Sequence, residues 1–124
     1  MLTPRRATVA FVVVAATIAA AHADEAKPAK PFDATAYSQK GTTAAGTSAR
    51  KGVVAADPKV LPQGSRIEVQ GAGEHSGTYK VEDTGPAIQG HEIDIFEPSH
   101  QRAKQFGRQK VKVKVLKRGD GKPE

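Results

Sequence analysis

Apolar side chains recur along this chain with a period close to two, in short runs at residues 34–37, 52–56, 66–69, 78–82, 92–96 and 110–116. A period of two rather than 3.6 predicts strands, so the pattern predicts six of them. Turn chemistry separates the runs: Pro58, Pro62 and Gly64 precede the third, Gly71 and Gly73 follow it, and Gly85, Pro86 and Gly90 follow the fourth. The last run, Lys110-Val111-Lys112-Val113-Lys114-Val115, alternates without error and predicts valines inward and lysines outward, a solvated face. Only residues 99–106 suit a helix, with Ser99 as cap, Pro98 ending the strand before it and Gly107 at the stop position. Six strands in so short a chain fill two sheets poorly, whereas closing one sheet buries a single core and removes unpaired edges. The expected fold is all-β: a small six-stranded barrel with one short helix.

The N-terminus changes the picture of compartment. Arg5 and Arg6 precede an apolar, alanine-rich run over residues 7–21, and Ala21-His22-Ala23 supplies a small-residue cleavage site. This is the pattern of a secretory signal peptide, expected over residues 1–23, and it places the product in the periplasm or outside the cell. The run is short of the roughly 20 residues that span a bilayer. Residues 24–32, rich in charge, Ala and Pro, read as a disordered linker, residues 33–117 as the barrel domain and residues 118–124 as a disordered tail. Loss of the leader leaves 17 Lys and Arg against 13 Asp and Glu, so the formal charge falls from +6 to +4. That balance suits an anionic envelope polymer and not nucleic acid. The absence of cysteine excludes a disulfide framework and thiol chemistry.

Candidate chemistry narrows by elimination. The histidines, His22, His75, His91 and His100, lack the paired spacings of metal sites, so no metal and no cofactor is expected. No Gly-x-Ser-x-Gly elbow is present. Carboxylates in unusual settings remain. Asp94 lies between Ile93 and Ile95 inside an expected strand, pointing to the face opposite both, where Asp is depleted unless paired or used. Asp83 ends a strand at Thr84-Gly85-Pro86, and Asp57 ends one at Pro58; a turn role accounts for either as well as a functional one.

The ordered motifs over residues 35–116 resemble the three-aspartate (3D) domain. They are Thr35-Ala36-Tyr37, Gly41-Thr42-Thr43-Ala44, Val54-Ala55-Ala56-Asp57-Pro58, Leu61-Pro62, Glu82-Asp83-Thr84-Gly85, Ala87-Ile88 and Ile93-Asp94-Ile95-Phe96. The resemblance implies a double-psi β-barrel like the catalytic part of membrane-bound lytic transglycosylase A, and it puts the three name-giving aspartates at Asp57, Asp83 and Asp94. It implies cleavage of peptidoglycan between N-acetylmuramic acid and N-acetylglucosamine by a monomer. Asp94 is then the acid, Asp83 its neighbour, Asp57 an accessory, and Tyr37, Thr84 and Gly85 contact substrate. Such an acid would protonate the glycosidic oxygen and then take the proton of the C6 hydroxyl as that oxygen attacks C1, leaving a 1,6-anhydro product. An ordinary Asp, with pKa about 3.9, carries that proton in roughly one molecule in a thousand at pH 7. Apolar walls from Ile88 or Phe96 and a second carboxylate are the expected means of raising it. Many relatives have Gly where Pro86 stands; the related rare lipoprotein A group has an Asp-x-Gly-Pro turn but a His where Asp57 is. Two other classes stay open on the residues: a glycan-binding module on the same barrel, and an envelope signalling or interaction protein.

Overall fold

The computed structural model describes residues 28–122. Six strands form: β1 (Lys30–Tyr37), β2 (Val53–Ala56), β3 (Arg66–Gln70), β4 (Gly77–Asp83), β5 (Glu92–Phe96) and β6 (Gln109–Lys117). One α-helix, α1 (His100–Phe106), and a 3-10 turn at Gly73–His75 complete the regular structure. The strands close into a barrel in the order β1-β5-β2-β4-β3-β6. β1 with β5 and β2 with β4 are parallel, and the other four pairs are antiparallel.

Alternation builds the core. Ala34, Ile67, Val69, Ile93, Ile95, Val111 and Val113 are buried one position in two, while Lys110 and Lys112 between them face solvent. On that face Lys110 pairs with Asp33 at 2.8 Å, and Lys114 stands opposite Glu68 of β3 in the strand register. β2 is buried on both faces, consistent with its uninterrupted apolar composition and its place between β4 and β5. The helix forms as expected. The Ser99 hydroxyl accepts a hydrogen bond from the Arg102 N–H at 3.2 Å, Ala103 and Phe106 turn inward, and Gly107 ends the helix with φ 62°.

Two expectations about the ends are corrected. β1 starts at Lys30, inside the expected linker, and Phe32 is buried against the core with its ring edge-on to His91. Burial of an aromatic side chain in the barrel core outweighs the solvating bias of its Pro- and Lys-rich neighbours. Residues 118–122 are docked rather than loose: the Gly119 N–H donates to Ser65 Oγ at 2.9 Å and the Gly121 N–H to Gln63 O at 3.0 Å. A Cβ on Gly119 would overlap the Gln63 carbonyl oxygen, so only glycine fits that approach. The expected signal peptide, residues 1–23, lies outside the described residues.

Candidate functional site

The site follows from strand register. Thr35 on β1 pairs with Asp94 on β5, Asp94 with Ala55 on β2, and Ala55 with Asp83 on β4. The row brings Asp94 and Asp83, eleven residues apart in sequence, two strand spacings apart across the barrel, roughly 9–10 Å between backbones. The small methyl of Ala55 between them keeps the space open. A bulge makes the row possible: Val54 pairs with Val81, but Ala55 pairs with Asp83, so Glu82 is the extra residue on β4. Without it, alternation would place Glu82 opposite Ala55 and turn Asp83 away.

A cleft of about 370 Å³ opens over this row, lined among others by Tyr37, Lys40, Asp83, Gly85, Ile88 and Asp94. Asp94 Oδ1 accepts a hydrogen bond from the Thr35 hydroxyl at 2.8 Å. Burial pushes the Asp94 carboxyl above the ordinary value; the Thr35 hydrogen bond opposes the rise, and the charge of Asp83 adds to it. Asp83 is held rigidly, with Oδ1 accepting from the Ala44 N–H at 3.0 Å and the Thr84 N–H at 2.9 Å. Tyr37 lies edge-on to Phe96, ring centroids 5.3 Å apart, with a buried hydroxyl that has no hydrogen-bond partner among the described residues. Burial, then the charges of Asp83, Asp94 and Glu82, push that hydroxyl up to about 12, so it stays a neutral donor. Of the two expected apolar walls, Ile88 lines the cleft and Phe96 backs Tyr37 instead.

A loop over residues 38–50 forms one side of the cleft, and buried Glu82 fastens it. Arg50 Nη2 reaches Glu82 Oε2 at 2.9 Å, the Thr47 hydroxyl donates to Glu82 Oε1 at 3.2 Å, and the Ala45 N–H donates to the Glu82 carbonyl at 2.9 Å. The bulge thus sends one carboxylate inward to hold the loop and the next outward into the cleft.

Of the expected site residues, Asp94, Asp83, Tyr37, Thr84 and Gly85 come together at this cleft. Asp57 does not. It lines a neighbouring groove that shares Thr84, Gly85 and Ile88 with the cleft and has Pro86 along it. Its two carboxylate oxygens accept from the Lys59 N–H at 2.9 Å and the Gly90 N–H at 2.8 Å. The Gly90 hydrogen bond, then that of Lys59, holds its carboxyl below the usual range. It is a charged staple between two turns, beside the cleft that holds Asp94 and Asp83. Sequence reading missed Thr35 as the partner of Asp94, Lys40 as a cleft residue and the Arg50–Glu82 latch. Thr35 was within reach, being on the face of β1 that alternation gives Tyr37; the others depend on a bulge and a loop.

Residues 52–117 match the 3D domain. The cell wall-binding protein YocH of Bacillus subtilis is 41% identical over 101 residues, covering 74% of this chain and 34% of that protein. The chain spans about a third or less of the length of the curated relatives it matches. Among solved structures, the lytic transglycosylase MltA of Escherichia coli superposes with a TM-score of 0.53 at 19% identity, covering 65% of this chain and 28% of that one. The Streptomyces papain inhibitor does so with a TM-score of 0.56 at 19% identity, covering 71% and 96%. These likenesses establish the double-psi form of the barrel.

Proposed function

The chain belongs to the 3D domain family, and from that premise we propose that it is a cell-wall protein that cleaves peptidoglycan glycan strands as a lytic transglycosylase, with Asp94 as the acid. The carrying observation is Asp94 itself: a carboxyl raised by burial and by Asp83, hydrogen-bonded to Thr35, in an open cleft. Protonated Asp94 gives its proton to the glycosidic oxygen between N-acetylmuramic acid and N-acetylglucosamine. The resulting carboxylate accepts the C6 hydroxyl proton while that oxygen bonds to C1, so the C1–O bond to the leaving sugar breaks and no water is consumed. The Tyr37 hydroxyl and the backbone at Thr84 and Gly85 supply polar contacts for the sugar, and Ile88 an apolar one. The leader ends after Ala23, and the mature chain works in the periplasm or outside the cell as a monomer. Asp57 acts by holding the turn at Gly90, beside the cleft.

The test is release of 1,6-anhydromuropeptides from purified sacculi, followed against pH. Asp94→Asn keeps the Thr35 hydrogen bond and delivers no proton, so turnover falls by about 10² to 10⁴ in a folded protein. Asp83→Asn removes the charge that helps hold Asp94 neutral and moves the optimum to lower pH. Wild-type turnover by folded Asp94→Asn refutes the acid.

A second reading rests on the name of a relative: YocH is called a cell wall-binding protein. On that reading the same cleft holds a glycan strand without cutting it. Sacculi that bind the chain with no anhydro product at any pH would establish it.

A further inference from the structure

A second, larger cleft of about 530 Å³ shares no residue with the first. Among the described residues its lining includes Arg66, Lys80, Lys117, Arg118, Asp120 and Lys122, five cations and one carboxylate. Strand register puts like charges face to face there: Arg66 on β3 stands opposite Lys80 on β4 and opposite Lys117 on β6. Directly opposed like charges destabilise a sheet. Further along the same strands the opposite arrangement holds, with Glu68 across from Lys114 on β6. The register therefore sets opposite charges across from each other at one end of β3 and β6 and gathers positive charge at the other.

Two structural details keep the charges together. The pairing of β3 with β6 shifts register so that Arg66 meets Lys117 and Leu116 is skipped, leaving Leu116 exposed at 45% and Lys117 beside the arginine. The tail is then bound back on the 62–65 turn through Ser65 Oγ and Gln63 O, at the glycine that tolerates no Cβ, which carries Arg118 and Lys122 along the same cleft. Arg66, Lys117, Arg118 and Lys122 have no carboxylate partner among the described residues, and the cleft's Asp120 accepts from the Lys122 backbone N–H instead.

We propose that this cleft binds a linear, phosphate-bearing polymer of the cell envelope. Arginine forks match phosphate geometry in pairs of hydrogen bonds, and cations spread over three strands and a tail fit several phosphates in a row better than one ion. Such a site tethers the protein to its surroundings independently of the aspartate cleft.

Binding of polyphosphate of defined chain length to the full chain tests this, with inorganic phosphate, phosphatidylglycerol vesicles and an uncharged chito-oligosaccharide as comparators. Affinity is expected to rise with chain length and fall with salt. Arg66→Gln with Arg118→Gln should weaken it about ten-fold or more, because charges focused in a cleft act together. Lys104→Gln on the helix should leave it unchanged, and the double variant should act on sacculi as the parent does. Arg66→Gln alone should melt at or above the parent at low salt. Four outcomes overturn the proposal: affinity no greater for polyphosphate than for inorganic phosphate, affinity untouched by the arginine substitutions, preference for the vesicles, or a lower melting temperature for Arg66→Gln. Activity on sacculi is scored separately, so failure of the aspartate chemistry would leave this binding intact.

Discussion

Asp94 and Asp57 carry the same chemical group in opposite situations, and acid titration separates them. Asp94 titrates above its ordinary value because burial opposes its charge, so ionisation costs the folded chain more than the unfolded one. The stability it permits is complete below the unfolded pKa of about 3.9 and is lost as pH rises through the raised folded value. Asp94→Asn is therefore expected to melt higher than the parent at pH 7, with the gap closing near pH 3. Asp57 is the reverse. Its carboxylate is favoured by the Gly90 and Lys59 amides, so its stabilisation is full above about pH 3.9 and disappears as pH falls through the lowered folded value. In Asp57→Asn the side-chain amide confronts one of those two N–H donors, and the variant should melt lower at pH 7 and approach the parent as pH falls through that lowered value. Calorimetry of the two variants between pH 2.5 and 8 checks both signs; parallel curves would remove the distinction between an acid in a cleft and a staple between turns.

The decisive element is the junction of β4 with the 38–50 loop. Alternation along β4 breaks at Val81 and Glu82, both fully buried, because the bulge inserts Glu82 between two positions of β2. Buried Glu82 requires a cation, and Arg50 supplies it from the loop at 2.9 Å while itself half exposed. Arg50→Met should destabilise the fold by about 1–3 kcal/mol, toward the lower end since solvent screens the arginine. Adding Glu82→Gln should recover part of that loss, because the uncompensated buried charge is gone. Urea unfolding measures both, and protease nicking within residues 41–50 reports whether the loop has come away. The helix was the easier element to read: Ser99, Pro98 and Gly107 act within a turn of the backbone they terminate, and α1 begins one residue after its cap.

On the scale of the whole molecule, closure of the barrel depends on β1, which joins β5 on one side and β6 on the other. Phe32 sits at the start of that closure, so the domain begins near residue 30. Phe32→Ala should cost about 3–5 kcal/mol in urea unfolding, the usual loss for a buried aromatic; a change below about 1 kcal/mol would restore residue 33 as the boundary. The amino-acid sequence by itself determined the six strands, the helix and its ends, the inward valines and outward lysines of β6, and the standing of Asp94 as an unusual strand carboxylate. Each depends on alternation, capping or turn chemistry acting over a few residues. The ordered motifs also identified the family and, through it, the barrel. Only the tertiary structure decided that Thr35 meets Asp94 across 59 positions and that Asp57 binds Gly90 across 33. The same holds for the bulge that aims Asp83, the Arg50 latch, the docked tail and the unbalanced charge around Arg66. These arise from strand order and register, which are set by how distant segments share one core, and no local pattern of side chains encodes which neighbour a strand will find.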